Sequence, residues 1–500
     1  MRFFALSVVI SCALAPLAPL AAGAQTAAPA PVIGQSLSLT DAIAIARRSN
    51  PSFQTSLNAR KSAAASARSA NGVFLPSVNS SIGGGYRAGG QSLLNGTTQG
   101  ATSGTLSSSG NVSANLSVSA AQFSDRKATL VERDIADADI ARDEQSLRIN
   151  VTNQYIAVLQ AQATARLQDT LLVSSSSQLE LAKAKLQVGT GIQLDVNQAE
   201  VANGRQRVAV LKAHNQIDIE KIRLYQQMGV EPVLSTQLQE LSVMELPSLT
   251  LDQLLTNAKA SNPALASNRA RERQSNFRVT SARRAYLPSF SIQTSIGGFA
   301  QRFTDTQQLL DQAQSNAPLS IASCQRTEGV YQQLGLANTY AQCESRFGYS
   351  PATEARIRDA QSGFPFGFTR NPLGFNLQLS LPIFNGFQRE AGVQNATIAR
   401  ANAQNVVRQQ EIQLGADITV AYMTLQTSQQ TVAQQELNSR TATLALQLAT
   451  QRYQVGSISL VDLITARTSL EQAESDRIAA IYEFQRAFAQ LEAAVGRPLR

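Results

Sequence analysis

The chain has 500 residues and a net charge of +8, with a single histidine, His214, and no tryptophan. Metal sites and acid–base catalysis draw heavily on histidine, so the composition argues against an enzyme, and no cofactor is expected. Basic residues are scattered, and the longest runs are pairs such as Arg47-Arg48 and Arg283-Arg284; this suits solvated helix faces and not a nucleic-acid-reading surface, so no nucleic-acid partner is expected.

The chain opens on Met1-Arg2-Phe3-Phe4, stays apolar to Leu20 and reaches Ala22-Gly23-Ala24 before Gln25. A basic residue, an apolar core and an A-x-A site make residues 1–24 a cleavable signal peptide. Val9-Ile10-Ser11-Cys12 resembles a lipoprotein cleavage box, but it leaves too short an apolar stretch before the cysteine. An Ala/Pro-rich linker, 25–36, follows. Beyond it no apolar run reaches the roughly 18 residues of a transmembrane helix. Transmembrane strands stay open, since they need only about 9–11 alternating residues.

From here the chain is written twice. Leu37-Ser38-Leu39 through Ser49-Asn50-Pro51 matches Leu249-Thr250-Leu251 through Ser261-Asn262-Pro263, and Leu75-Pro76-Ser77 matches Leu287-Pro288-Ser289. Val188-Gly189-Thr190 with Asp195 matches Val455-Gly456-Ser457 with Asp462, and Met228-Gly229 matches Val495-Gly496. Four ordered landmarks mean a tandem duplication. The copies are 37–230 and 249–500, joined by a linker at 231–248 that contains Pro232 and Pro247. The offset grows before the third landmark, so the second copy carries an insertion at 301–372.

Each copy begins with an Ala-rich, Gly-poor helix, 40–70 or 252–284, stopped by Leu-Pro because the residue before proline avoids the helical region. Strands follow. Phe290, Ile292, Thr294 and Ile296 alternate with polar neighbours, as do Phe375, Leu377, Leu379 and Leu381, and Val112, Ala114, Leu116 and Val118. This is the pattern of strands with one apolar and one polar face. The Gly/Ser/Thr-rich stretch 87–110 and the insertion read as the intervening loops. A very long helix comes next, 125–187 or 389–455, ended by Gly189 or Gly456 as C-cap glycines. A second helix returns over 194–227 or 460–494. The short and returning helices together nearly match the long one, which predicts a tall helical cylinder. The fold class is mostly α with a β-barrel part, four transmembrane strands per chain. Four strands cannot close a barrel, and an open edge in lipid leaves backbone groups unsatisfied, so several copies must share a pore.

Cys324 and Cys343 lie in the insertion and, in an exported protein, favour an intraloop disulfide over two free thiols. The loop joins two strands at the end away from the helices and should face outside the cell. His214, in the polar stretch 212–216, reads as a solvated helix residue.

The segment Arg452-Tyr453-Gln454-Val455-Gly456, then Asp462 and an Ala/Leu-rich stretch to Gly496, resembles the periplasmic helix-turn-helix of the TolC family of outer-membrane factors. Leu381-Pro382-Ile383-Phe384-Asn385-Gly386-Phe387 is similar to that family's strand-to-helix junction, and the resemblance covers 37–499. It implies a homotrimer with a twelve-stranded barrel in outer-membrane lipid of a Gram-negative bacterium and a periplasmic α-barrel. It implies a passive gated conduit for efflux or type I secretion, served by a periplasmic adaptor and an inner-membrane pump. A periplasmic helical-hairpin adaptor is the alternative, but adaptors lack strand pairs inside each repeat. The resemblance places Asp195, Tyr453 and Asp462 at a periplasmic gate, where repeated carboxylates near an axis would attract cations. It makes Val188, Gly189, Thr190, Val455, Gly456 and Ser457 adaptor-contacting tip turns. Ser459 to Asp462 also fits a helix capping box, and the two readings can coexist. Ile458 and Thr465 stand where the family has a basic and a second acidic residue, which counts against a double acidic ring with a salt-bridge lock.

Overall fold

The computed structural model describes residues 36–94, 97–241, 250–336 and 340–497. The expected signal peptide (1–24), nearly all of the linker 25–36 and residues 242–248 lie outside them. The first copy runs β1 (Ser36–Leu37), α1 (Leu39–Ser49), α2 (Pro51–Gly72), β2 (Ser77–Arg87), β3 (Gly90–Leu94), β4 (Thr97–Thr102), β5 (Thr105–Ser119), α3 (Ala120–Gln187) and α4 (Gln193–Met228). After β6 (Gln237–Leu238) come α5 (Leu251–Ser261), α6 (Pro263–Arg284) and β7 (Ser289–Phe303). The insertion forms α7 (Thr306–Gln333), α8 (Cys343–Phe347) and α9 (Pro351–Ser362). The chain then completes β8 (Thr369–Arg370), β9 (Gly374–Ser380), α10 (Gln388–Gln454) and α11 (Leu460–Val495).

The duplication extends to individual hydrogen bonds. Asn50 and Asn262 leave the helical region with ψ of 120° each, because proline Cδ clashes with a helical residue before it. The single helices expected over 40–70 and 252–284 are therefore each broken in two, at Asn50-Pro51 and Asn262-Pro263. The freed side chains do the same task in both copies. Asn50 Nδ2 donates to the Gln227 carbonyl at 2.8 Å and Asn262 Nδ2 to the Ala494 carbonyl at 3.3 Å. Gly229 and Gly496 then end α4 and α11 in the left-handed region, as C-cap residues do.

By packing the chain forms two compact units, and both draw on both copies: Leu57–Ile140 with Pro263–Gln413, and Met1–Ser56 with Ala141–Asn262 and Leu414–Arg500. The first unit holds the main sheet, ordered β2-β5-β7 with β8 and β9 on the far side of β7, all antiparallel. Thus the two copies meet inside one sheet, through the fifteen-residue β5–β7 ladder. One row across it reads Asn115, Gln293, Asn376, and the next reads Leu116, Ile292, Leu377. Strand alternation is thereby converted into one polar and one apolar face. On the apolar face Ile82 is 84% exposed, and Val78, Tyr86, Phe375 and Leu379 are also exposed.

Glycine- and serine-rich residues 77–87 and 105–111 lie within β2 and β5, so the expected loop at 87–110 shrinks to a second hairpin, β3–β4. Backbone ladder bonds hold these strands, and their low β-propensity is overridden by the neighbours they pair with. β8 and β9 form one interrupted strand: Gly298 faces Arg370 but Ser295 faces Gly374, one residue out of register. This bulge accommodates Pro372, which has no N–H to give the ladder. Helices α2, α3, α6 and α10 join the sheet at one end, where Ser119 faces Ser289 and Ser289 faces Ser380. Helices α3 and α6 pack through Val131, Ile135, Ala270 and Phe277, while ion pairs tie α2 to α3 (Arg60–Asp137, 3.0 Å), α6 to α3 (Arg271–Asp139, 2.7 Å) and α6 to α10 (Arg269–Glu411, 2.8 Å).

At the other end of the sheet, the insertion is not a plain loop but a helical element pinned to the strand ends. Thr304 N donates to the Gly104 carbonyl at 2.7 Å, Asp305 N to Ser103 Oγ at 3.0 Å and Phe303 N to Gln361 Oε1 at 3.2 Å. Cys324 on α7 is disulfide-bonded to Cys343, which is fully buried. Non-reducing digestion and mass spectrometry of the exported protein are expected to give a Cys324–Cys343 linked peptide; two free thiols would contradict it.

The second unit is built around the helix faces. Val151, Tyr155, Ile156, Leu224, Met228 and Leu254 are fully buried. β1 and β6 make a two-residue parallel bridge, closed by the Tyr155 hydroxyl, which donates to one of the carbonyls of Leu37 (2.9 Å) and Gln239 (2.7 Å). Burial pushes the Tyr155 pKa up to about 12, so this tie persists at any physiological pH. Between α3 and α4 the seam is polar: Asn203 Nδ2 donates to Ser175 Oγ at 2.8 Å and Gln206 Nε2 to Gln168 Oε1 at 2.7 Å. These hydrogen bonds satisfy the amide groups buried at that level of the helix pair.

Candidate functional site

The predicted tip residues all fall in the second unit, at the turns α3–α4 and α10–α11. Both turns have the same backbone. Gly189 N donates to the Leu186 carbonyl and Thr190 N to the Lys185 carbonyl; Gly456 N donates to the Tyr453 carbonyl and Ser457 N to the Arg452 carbonyl. Glycines at φ 76° and 79° make this possible, since the pattern is a Schellman cap that needs a left-handed residue after the helix. Val188 and Val455, one residue earlier, are 73% and 80% exposed, and Ile192, Leu194 and Val461 beside them are also exposed.

The two turns differ where the next helix starts. Ile192 precedes α4 with no side-chain cap, whereas Ser459 and Asp462 form a reciprocal capping box on α11. Asp462 N donates to Ser459 Oγ at 3.2 Å, while an Asp462 oxygen accepts from Ser459 N at 3.0 Å and from Ser459 Oγ at 2.7 Å. These bonds, led by that of the Ser459 hydroxyl, hold the Asp462 carboxyl below the usual carboxylate range. It therefore carries its charge at neutral pH while lying at the surface. The cap is thus present, and it leaves the charged carboxylate at the surface.

Tyr453 is the opposite case. It is 4% exposed, in a cluster with Leu179, Ala182, Val196, Ala199, Leu460 and Leu463 drawn from all four helices of the tip. Burial, and then the nearby Asp195 carboxylate, raise its pKa. The structure therefore brings Asp195 and Tyr453 into one electrostatic neighbourhood, whereas Asp462 is engaged with its own turn. Ile458 packs against the same cluster as an apolar residue.

Two residues here carry no signal in the sequence alone. Lys185 sets its ammonium 4.0 Å from the centroid of the Tyr453 ring and donates to the Tyr453 carbonyl. The only pointer is the repeat itself, which aligns Lys185 with Arg452 just before Tyr453. Arg467 is 7% exposed and reaches Gln178 at 3.5 Å across α11 and α3; desolvation lowers its pKa. His214 is exposed and lies 3.2 Å from Asp169, as a solvated helix residue would.

The family model described as outer membrane efflux protein matches residues 42–230 and 353–497, leaving out much of the insertion. No curated protein matches the chain. Among solved structures, CusC is 16% identical, with 92% of each chain covered and a TM-score of 0.68. VceC of Vibrio cholerae, an outer membrane protein, is 16% identical, with 92% of this chain and 97% of that one covered and a TM-score of 0.67. The open state of the MtrE outer membrane channel of Neisseria gonorrhoeae is 17% identical, with coverages of 92% and 89% and a TM-score of 0.62. At such identities the likeness is one of fold, and it extends over nearly the whole of the described chain. Two separate matched segments, one in each copy, fit the duplication, and on that match the chain belongs to the outer membrane efflux protein family.

Proposed function

We propose that the chain is one subunit of a homotrimeric, passive, gated conduit that crosses the outer membrane and serves efflux or type I secretion with a periplasmic adaptor and an inner-membrane pump. The observation that carries this is the four-stranded sheet with one apolar face, one polar face and two edges, β2 and β8–β9, that pair with no further strand among the described residues. Such a sheet is stable in lipid only if further copies close it, with the polar face turned to a water-filled lumen. Family membership supports the efflux role. The exposed valines of the two tip turns offer an adaptor an apolar contact beside capped, rigid backbone, through Val188-Gly189-Thr190 and Val455-Gly456-Ser457. Asp195, Tyr453 and Asp462 form the periplasmic gate in this reading, with the disulfide-bearing insertion on the outer side.

Purified oligomer added to a planar bilayer is expected to conduct; an assembled oligomer that never opens a pore would sink the proposal. Asp462→Asn is expected to weaken cation preference while leaving the helix start intact, because asparagine still offers an oxygen to Ser459 N. Unchanged selectivity in that variant would return Asp462 to capping alone.

A further inference from the structure

The lock implied by resemblance needs a cation at position 458, and the residue there is Ile458, packed into the apolar cluster. A cation nevertheless reaches the same tyrosine from elsewhere. The Lys185 ammonium sits over the face of the Tyr453 ring, 4.0 Å from its centroid, and donates to the Tyr453 carbonyl. Both contacts favour positive charge. A ring quadrupole attracts a cation over its face, and a carbonyl in the last turn of a helix lies at the negative end of its dipole. Both contacts also bridge the copies, since Lys185 ends α3 and Tyr453 ends α10. Tyr453 is nearly buried and Lys185 half-buried, so the interaction is shielded from the screening that weakens exposed ion pairs.

We propose that Lys185 is the positioning residue of the closed tip: it clamps the α10–α11 turn to the α3–α4 turn of the same chain, and opening requires its ammonium to leave the Tyr453 ring. This rests on the gated-conduit reading and adds the group that holds the gate. The clamp uses the ring and the backbone carbonyl, and it needs no tyrosine hydroxyl. Cargo or an adaptor opens the channel, on this account, by first drawing the Lys185 ammonium off the Tyr453 ring, after which the apolar cluster shared by the four helices can loosen.

Single-channel recording of full-length assembled protein tests it. Lys185→Met, of similar length but uncharged, is expected to raise open probability about tenfold. Lys185→Arg and Tyr453→Phe should stay close to wild type. An open probability for Lys185→Met equal to that of wild type would overturn the clamp, and so would Lys185→Arg opening as readily as Lys185→Met, since that points to packing and not charge. As a check independent of substitution damage, Lys185→Cys should open readily and close again once its thiol is aminoethylated to restore a lysine-like ammonium; no reclosure overturns the proposal. The conduit reading fails separately, by absence of conductance in the wild-type oligomer itself.

Discussion

Gly229→Val is expected to destabilise the second compact unit by about 3–5 kcal/mol. Two costs combine there. Gly229 has φ of 74°, and an added Cβ would lie 2.7 Å from the Ser49 carbonyl oxygen, 2.8 Å from Asn50 Cα and 3.0 Å from Pro51 Cδ. Those atoms are backbone and a proline ring, which cannot swing aside. They are also the atoms that let Asn50 cap the Gln227 carbonyl. Gly456 separates the two costs, because φ is 79° but nothing lies within 4 Å of its added Cβ. Gly456→Val should therefore cost only the left-handed strain, about 1–2 kcal/mol. Thermal unfolding followed by helical circular dichroism would resolve the pair, and equal midpoints would refute the close-approach account.

The other large effect belongs to the sheet. Leu377→Arg places a charge on the apolar face of β9, in the row with Leu116 and Ile292. If that face meets lipid, the cost is about 2–4 kcal/mol in each subunit near the bilayer midplane. Gln378→Arg, one residue along, turns its charge to the polar face with Ser291 and Ser117 and should fold normally while altering ion selectivity. Refolding into lipid vesicles, read as a heat-sensitive shift on gels, distinguishes them. Equal yields for both variants would show that the sheet does not sit in lipid as proposed.

Much of this architecture was legible because its signals are local and most of them occur twice. The tip glycines, the Ser459–Asp462 box and the alternation of 375–381 each depend on residues a few positions apart. Other features were masked by their surroundings. Asn50-Pro51 carries the same helix-stopping chemistry as Leu75-Pro76, yet Ala-rich flanks on both sides disguise two helices as one. The Gly/Ser-rich strand 105–111 pairs with β7, nearly two hundred residues further on, and strand 77–87 pairs in turn with β5; nothing in their own composition announces it. The contact between Lys185 and Tyr453 spans a separation of 268 residues. No periodicity reports such a pairing; only the folded tip does.

The ladder between β5 and β7 carries one more consequence. It joins copy one to copy two within a chain, and the free edges are likewise unlike: β2 from copy one, β9 from copy two. A ring closed by pairing β9 of one subunit with β2 of the next repeats the same kind of seam at every junction, head to tail, as a heterologous interface must. Seams within a chain and seams between chains then alternate around a circle of quasi-equivalent units. Fusing the two copies halves the number of bodies that must find one another, and each encounter avoided removes a translational and rotational entropy cost of roughly 4–15 kcal/mol. The duplication thus acts on the stoichiometry of assembly. It also frees each copy to diverge, one keeping a short hairpin at the far end of the sheet and the other growing a disulfide-bonded helical insertion.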